Sequence, residues 1–428
     1  MGVVSTMSTA ISGLEANGEM LSVISDNIVN ANTTAFKGSR AEFNAILMED
    51  KLNSAGGNQI GSGSRVAAIT SLFTQGSITR TNRATDMAIN GQGMFVLKSD
   101  RGTTFTRDGS FRFDKDGWMT TFGGSRVQAY QATPEGKMSG KMGDIRLSYT
   151  AIPAKPTNKI SLYANLDARM AVGGPLNLER PEDSAHYTTA TQVFDSVGNA
   201  HPVSMYFNRT AENQWEWYAM TDGGDVQNGV KGTPAAVARG TLDFDQLGRL
   251  QGSTQETLNT SFAGGAVPEQ AMLFDFGDPI NDLGTGQKGT TMYGATNGVF
   301  RNVQDGFTAG HLADTIVDGD GMITGVYSNG ENRVLGQMAI ARFDAPERLT
   351  KTGENMFIET PGSGQAEIGK AKTNGRGAIA TRALEASNID LANEFVEMIK
   401  AQRGFQASAK SISTANDMLE EIINLRRS

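Results

Sequence analysis

Apolar residues recur in steps of three and four over two long stretches, one at each end of the chain. From Val3 the series runs through Met7, Ala10, Leu14, Asn17, Leu21, Ile24, Ile28 and Ala31; from Leu391 it runs through Phe395, Met398, Gln402, Phe405, Ala409, Ile412, Asn416, Leu419 and Ile423. This spacing predicts an amphipathic helix at the start and a longer one, with a coiled-coil-like seam, at the end. Ser387 or Asn388 can cap the second helix, Asp390 falls in its first turn, and Arg426 and Arg427 sit where the helix dipole favours cations. One apolar stripe leaves a helix of this length marginal in isolation, so each needs a partner. Gly13 and Gly18 lie inside the first helix, where each costs up to about 1 kcal/mol relative to alanine unless close helix approach compensates. Both are read as packing positions.

Between the helices the period changes to two. Residues 38–70, with Asn53-Ser54-Ala55-Gly56-Gly57-Asn58 and Gly61-Ser62-Gly63-Ser64, have the composition of a flexible connector. Met87–Ile89, the turn Asn90-Gly91 and Met94–Leu97 read as a hairpin, and Phe105, Asp108-Gly109, Phe111, Phe113 and Asp116-Gly117 as another. Pro153 and Pro156 mark a boundary, beyond which Val203, Met205 and Phe207 alternate and Trp215 and Trp217 share a strand face. This second β-region reads as a sandwich or barrel-like unit. The chain is expected to return to the first β-domain between Pro279 and Gly294, with a hairpin at Asn329-Gly330. The expected fold is mainly β with α-helical termini: two β-domains, one inserted in the other, on a terminal two-helix coiled-coil-like stem. Residues 1–33 and 384–428 form the stem, 34–71 the connector, 72–147 and 287–383 the first β-domain, and 148–286 the insert.

Composition narrows the chemistry. Glycine, 51 of 428 residues, is abundant without a collagen-like period, and with 11 prolines this suits turn-rich β-structure. The net charge of −8 argues against nucleic-acid binding and against anionic membranes, and cysteine is absent, which removes disulfides, thiolate metal sites and cysteine nucleophiles. Met1–Ala10 lacks the features of a cleavable secretory signal, and no apolar run is long enough to span a membrane. Asp318-Gly319-Asp320-Gly321 lacks the further ligands of a calcium loop, and it and Asp114-Lys115-Asp116-Gly117 read as glycine turns. His186, His201 and His311 have no zinc spacing and read as surface or turn residues. No catalytic, cofactor or metal residue is nominated.

Two terminal motifs give a more specific signal. Ser25-Asp26-Asn27-Ile28-Val29-Asn30-Ala31-Asn32-Thr33-Thr34-Ala35-Phe36-Lys37 resembles the signature of the axial proteins of the bacterial flagellum, the rod and hook family. Glu385-Ala386-Ser387-Asn388-Ile389-Asp390-Leu391, with Met398-Ile399 and Gln402-Arg403-Gly404-Phe405, is similar to that family's closing helix. Ala88–Val96 and Thr106–Phe111 resemble its first β-domain, and Phe194–Asn199 the middle domain of hook subunits.

The resemblance implies a structural subunit, not an enzyme, that self-assembles into a curved tube joining rod to filament and transmitting torque as a flexible joint. It implies as partners further copies of the chain, the distal rod protein, the hook cap, the hook-filament junction protein and the flagellar export apparatus, and an extracellular place in the flagellum reached without a cleavable signal. A distal-rod paralogue is the second reading. A secreted glycan-binding β-protein, using Trp215 and Trp217 as its platform, is the third. The expected assembly contacts are Leu14, Leu21, Ile24 and Ile28 with Leu391, Phe395, Met398, Phe405, Ile412, Leu419 and Ile423. Asn27, Asn30, Asn32, Phe36 and Lys37 match the family signature, with a local capping role also open.

Overall fold

The computed structural model describes residues 2–47, 61–100, 102–133, 136–147, 151–258 and 260–425. These form mostly β-structure between two long helices, Gly2–Val29 and Leu391–Leu425. Two compact units result, one of residues 1–148, 314–326 and 332–428, the other of 149–313 and 327–331. The return to the first unit therefore comes some way after the expected 279–294. The reason is pairing: strand Gly298–Gln304 lies antiparallel to Lys159–Asn165, which also pairs in parallel with Leu273–Asp275. Residues 287–313 thus belong to the second unit.

In the first unit the strand Met94–Ser99 is apolar on both faces because it separates two cores. Phe95 and Leu97 join Met87, Ile89, Phe111 and Ile340 on one side; Met94 and Val96 join Phe105, Phe343 and Phe357 on the other. Alternation along an extended chain sends neighbours to opposite faces, so a fully apolar run marks a strand covered on both. The turn Asn90-Gly91 does not make a hairpin. Met87–Asn90 pairs with Ala378–Thr381, while Met94–Ser99 pairs with Gly102–Thr106 and Arg126–Ala132. The carbonyls of Ile89 and Gly91 instead accept from the Arg107 guanidinium.

The expected connector is also corrected. Ser39–Leu47 and Gly61–Ser71 are antiparallel strands with two irregularities in register, because Phe43, Ala45, Val66 and Ile69 supply a strand pattern on either side of the glycine-rich stretch. Residues 53–58, which prompted the connector reading, lie outside the described residues.

The second unit is built on the meander Tyr187–Phe194, Ala200–Ala211, Gln214–Asp222, Pro234–Phe244 and Leu250–Ser253. Its inward face packs against the three-stranded sheet of Lys159–Asn165: Val203, Met205, Phe207, Trp215 and Trp217 share one core with Ile160, Leu162, Phe274 and Phe276. Both tryptophans are fully buried, Trp217 4.9 Å from Phe276 between ring centroids. They cannot form a glycan platform, which removes the physical basis of the third reading.

One turn device recurs in both units. At Asp114, Asp195, Asp245 and Asp318 a carboxylate oxygen accepts from backbone amides two to four residues on, and the glycine three residues later takes a positive φ of 81°, 98°, 74° and 75°. The carboxylate takes over the amides that a tight turn leaves unpaired. In the Asp195 turn, His201 is buried, not superficial, with Nε2 3.2 Å from Asp195 Oδ2 and its ring stacked 4.3 Å from Phe262. Among the described residues no group of His, Asp and Glu has the arrangement of a metal site.

Burial pushes the Asp195 carboxyl up, but bonds from Asn199, His201 and the amides of Gly198 and Asn199 outweigh it and hold the group below its ordinary range. Its stabilising contribution is therefore present above the ordinary aspartate pKa and is lost as pH falls through the lowered folded value. Asp195→Ala should cost about 2 to 4 kcal/mol in urea unfolding followed by tryptophan fluorescence at neutral pH. The gap between wild type and variant should narrow below about pH 4.

Candidate assembly interface

The two terminal helices lie antiparallel in close register. Asn17 faces Gly404, Gly13 faces Ser408, and Asn27 Nδ2 is 3.3 Å from Glu394 Oε2. Position 27 is fourteen residues beyond 13 and 394 fourteen before 408, so the register holds over four turns. Small side chains allow it: Ala10 and Ala16 on one helix and Ala401 and Ala415 on the other are buried. A Cβ on Gly13 would lie 3.0 Å from Ser408 Oγ, and one on Gly404 2.6 Å from Asn17 Oδ1. Gly13 and Gly404 thus sit at close approach, where a larger residue would have to displace the Ser408 or Asn17 side chain.

The pairing stripe on the C-terminal helix is rotated from the expected seam. Its least exposed positions are Glu394, Glu397, Met398, Ala401, Gly404, Ser408, Ile412, Ala415 and Leu419. Met398, Ile412 and Leu419 belong to both stripes, while Ala401, Ser408 and Ala415 replace Gln402, Ala409 and Asn416. Of the remaining expected contacts, Ile24 is buried and Leu14, Leu21 and Ile28 are half-buried. By contrast Leu391, Phe395, Phe405 and Ile423 are exposed, Phe395 at 49% and Ile423 at 56%, together with Val396 and Ile399. The large apolar residues that drew attention in the sequence therefore divide. One set closes the helix pair; the other faces outward.

At the start of the C-terminal helix Asp390 is the cap, Oδ1 accepting from the amides of Ala392 and Asn393. Asn388 instead bonds the amide of Gly38 and the carbonyl of Leu72. Arg426 and Arg427 lie outside the described residues.

The signature residues have individual places. Asn27 is buried and exchanges two bonds with the backbone of Ser39, Oδ1 accepting from its amide and Nδ2 donating to its carbonyl, which fixes the hairpin to the helix end. Asn30 closes the helix onto Asp26 and accepts from Thr33. Asn32 is exposed. Phe36 is buried with Lys351 Nζ 5.0 Å from its ring centroid, and the same ammonium donates to the carbonyl of Lys37.

Lys37 leads to a group that sequence reasoning did not single out. Its ammonium donates to Glu385 Oε1 at 2.6 Å and to the carbonyl of Thr74; Arg107 Nη1 is 3.4 Å from Glu385 Oε2, and the amide of Gly76 donates to Oε1. The Lys37 and Glu385 side chains are fully buried. Burial pushes both Lys37 and Arg107 down from their ordinary values, and Glu385 opposes it in each case. Glu385 is placed by the strand Ala383–Glu385 pairing with Ile78–Arg80, and its own carbonyl accepts from the amide of Ala35, held at φ 56°. One carboxylate thereby ties the end of the first helix, the β-unit and the entry to the last helix. Neither residue spacing nor period could reveal it; the only sequence signal is that charged residues stand inside strand-like motifs.

Glu385→Ala would leave two buried cations without their carboxylate, and should cost about 3 to 5 kcal/mol in urea unfolding followed by circular dichroism. A loss below about 1 kcal/mol would mean that water reaches the cluster and screens it.

Comparison with known proteins adds to this geometry. Four family descriptions match: "Flagella basal body rod protein" over residues 7–37, "Flagellar hook protein FlgE/F/G D1 domain" over 88–161, "Flagellar basal body protein FlaE D2 domain" over 165–307 and "Flagellar basal body rod FlgEFG protein C-terminal" over 380–425. The chain is 34% identical over 431 residues to the flagellar hook protein of Escherichia coli, covering 98% of this chain and 99% of that one. It is 34% identical over 426 residues to that of Salmonella typhimurium, with 98% and 100% covered, and 31% identical over 457 residues to that of Treponema pallidum, with 98% and 99% covered. The crystal structure of Helicobacter pylori flagellar hook protein FlgE2 is similar in fold, with a TM-score of 0.52 at 13% identity over 72% of this chain and 100% of that one.

Proposed function

Because this chain belongs to the flagellar hook protein family and is a structural subunit of the hook, we propose that the polymer is held together through the apolar side chains that the paired terminal helices leave uncovered. The observation that carries this reading is the exposure of Leu391, Phe395, Val396 and Ile399 on the outward side of a helix whose other side is closed by small residues. Burying each such side chain against a neighbour is worth about 1.5 to 3 kcal/mol, and repeated head-to-tail contacts that do not close generate an open helical tube. Leu14, Leu21, Ile24, Ile28, Met398, Ile412 and Leu419 support the contact from within by fixing the helix pair. Ile423, exposed, extends the outward surface, and Phe405, 37% exposed, stands at its edge with its ring beside Gly18 of the first helix.

The β-units carry the second half of the proposal. A curved tube that bends while it turns needs one layer of persistent contacts and another whose contacts can slide; the helix layer suits the first and the two β-units the second. Contacts with the distal rod protein, the hook cap and the hook-filament junction protein, and passage through the flagellar export apparatus without a cleavable signal, complete the reading. The family resemblance supports them. The relatives matched over full length are hook proteins, which favours the hook over the distal-rod reading.

Phe395→Asp and Ile399→Asp separate the outward surface from the helix pair. Each should abolish tubes in negative-stain electron microscopy of the concentrated full chain while leaving its circular dichroism unchanged. Ile24→Asp, on the buried side, should instead lower helix content before any assembly is measured. Normal tubes from both outward variants would remove the uncovered side chains from the account.

A further inference from the structure

Six Asn-Gly pairs occur in the sequence, beginning at Asn17, Asn90, Asn228, Asn297, Asn329 and Asn374. Glycine has no side chain to shield its amide nitrogen, so in each pair that nitrogen can attack the carboxamide carbon of the asparagine before it. The attack needs a side chain free to turn and an amide without a partner. Five of the pairs lack one or both. Asn17 lies inside the first helix with Nδ2 donating to the carbonyl of Gly13. Asn90 and the amide of Gly91 both bond the Gln75 carboxamide, and the amide of Gly229 donates to the carbonyl of Val226. Asn297 accepts from the amide of Asp167 and donates to the carbonyl of His186; Asn329 accepts from the amide of Glu331 and donates to the carbonyl of Thr308.

The sixth pair differs. Asn374 and Gly375 are exposed and take positive φ, 48° and 76°, in the loop between the strands Glu367–Gly369 and Ala378–Thr381. Among the described residues neither the Asn374 side chain nor the Gly375 amide makes a hydrogen bond. Two guanidinium groups hold the loop by its carbonyls instead: Arg376 Nη1 donates to that of Thr373 at 3.0 Å, and Arg342 Nη1 to that of Asn374 at 3.2 Å. The Asn374 carbonyl belongs to the same peptide unit as the Gly375 nitrogen. When that nitrogen loses its proton, the negative charge is shared with the carbonyl oxygen, where Arg342 stands. Carboxylates meet Arg342 only at 3.8 Å from Glu367 and 3.9 Å from Asp344, and Asp320 is taken by Lys372 at 2.8 Å. A cation aimed at an atom on which charge develops stabilises the charged species.

We propose that Asn374-Gly375 is a self-modifying site whose reaction Arg342 promotes. Hydroxide takes the proton of the Gly375 amide, and the nitrogen bonds to Asn374 Cγ. The Cγ–Nδ2 bond breaks, water returns a proton to the leaving group, and ammonia departs, closing a succinimide ring. Water then opens the ring at one of its two carbonyls, leaving aspartate or isoaspartate at position 374 and a new carboxylate beside Arg342.

Peptide mapping by mass spectrometry follows all six pairs in the full chain, incubated in mildly alkaline buffer with and without urea. Urea supplies the reference rates, since no bond then restrains any pair. In the native chain Asn374 should keep or exceed its urea rate and react at least about tenfold faster than each of the other five, which their bonds protect. Arg342→Gln should slow the reaction about tenfold, and Arg342→Lys, which keeps the charge, by less. If circular dichroism shows Arg342→Gln to be unfolded, the native and urea rates of the wild-type chain decide. A native rate at Asn374 below its urea rate, or faster reaction at another pair, overturns the site. Equal rates in wild type and folded Arg342→Gln overturn the part given to Arg342.

Discussion

The carboxylate of Glu385 is the constraint on which the first unit depends. Two cations from distant parts of the chain, Lys37 and Arg107, and the amide of Gly76 converge on it in a dry site. A buried cluster of this kind is weak evidence of stability, since desolvation offsets much of the attraction. In this arrangement the end of the first helix, the β-unit and the entry to the last helix meet with the charge and the hydrogen bonds of all these groups matched together. The Asn27 clamp on Ser39 and the Asn388 bonds to Gly38 and Leu72 surround the cluster and extend the same junction.

From that junction the helix pair projects with an unusual division of labour. Small residues set the close approach of the helices at Ala10, Gly13, Ala401, Gly404 and Ala415, with Ile24, Met398, Ile412 and Leu419 packed beside them. Other large apolar residues of the last helix stay on the outside, where the single chain leaves them uncovered. A subunit whose stem satisfied itself fully would have little reason to associate. The second unit follows an ordinary rule, with Trp215, Trp217 and Phe207 all directed into a sandwich core.

The helices, the β-character of the middle and the aspartate-glycine turns were legible because each rests on local chemistry: a period of 3.6, a period of two, or a carboxylate two to four residues from the amides it bonds. The contact face of the last helix was misplaced because the eye follows large apolar side chains, whereas close packing selects small ones. The hairpin of Ser39–Leu47 and Gly61–Ser71 was hidden by the glycine-rich stretch between its strands. Asn90-Gly91 reads as a hairpin, yet turn chemistry does not say which strand a neighbour pairs with, and here it is a strand nearly three hundred residues away. Glu385 stands in a terminal motif, but its role is not legible there, since its partners are set by folding alone.

The antiparallel register of the terminal helices has a consequence for the order of events. A chain that emerges amino end first presents Gly2–Val29 long before Leu391–Leu425 exists to meet it, and Lys37 waits equally long for Glu385. The second unit, nearly continuous in sequence, can condense on its own contacts, while completing the first unit and closing the stem require the longest loops in the molecule. Closing the stem is thus among the last steps of folding, and the Lys37–Glu385 junction forms only once the whole chain is present.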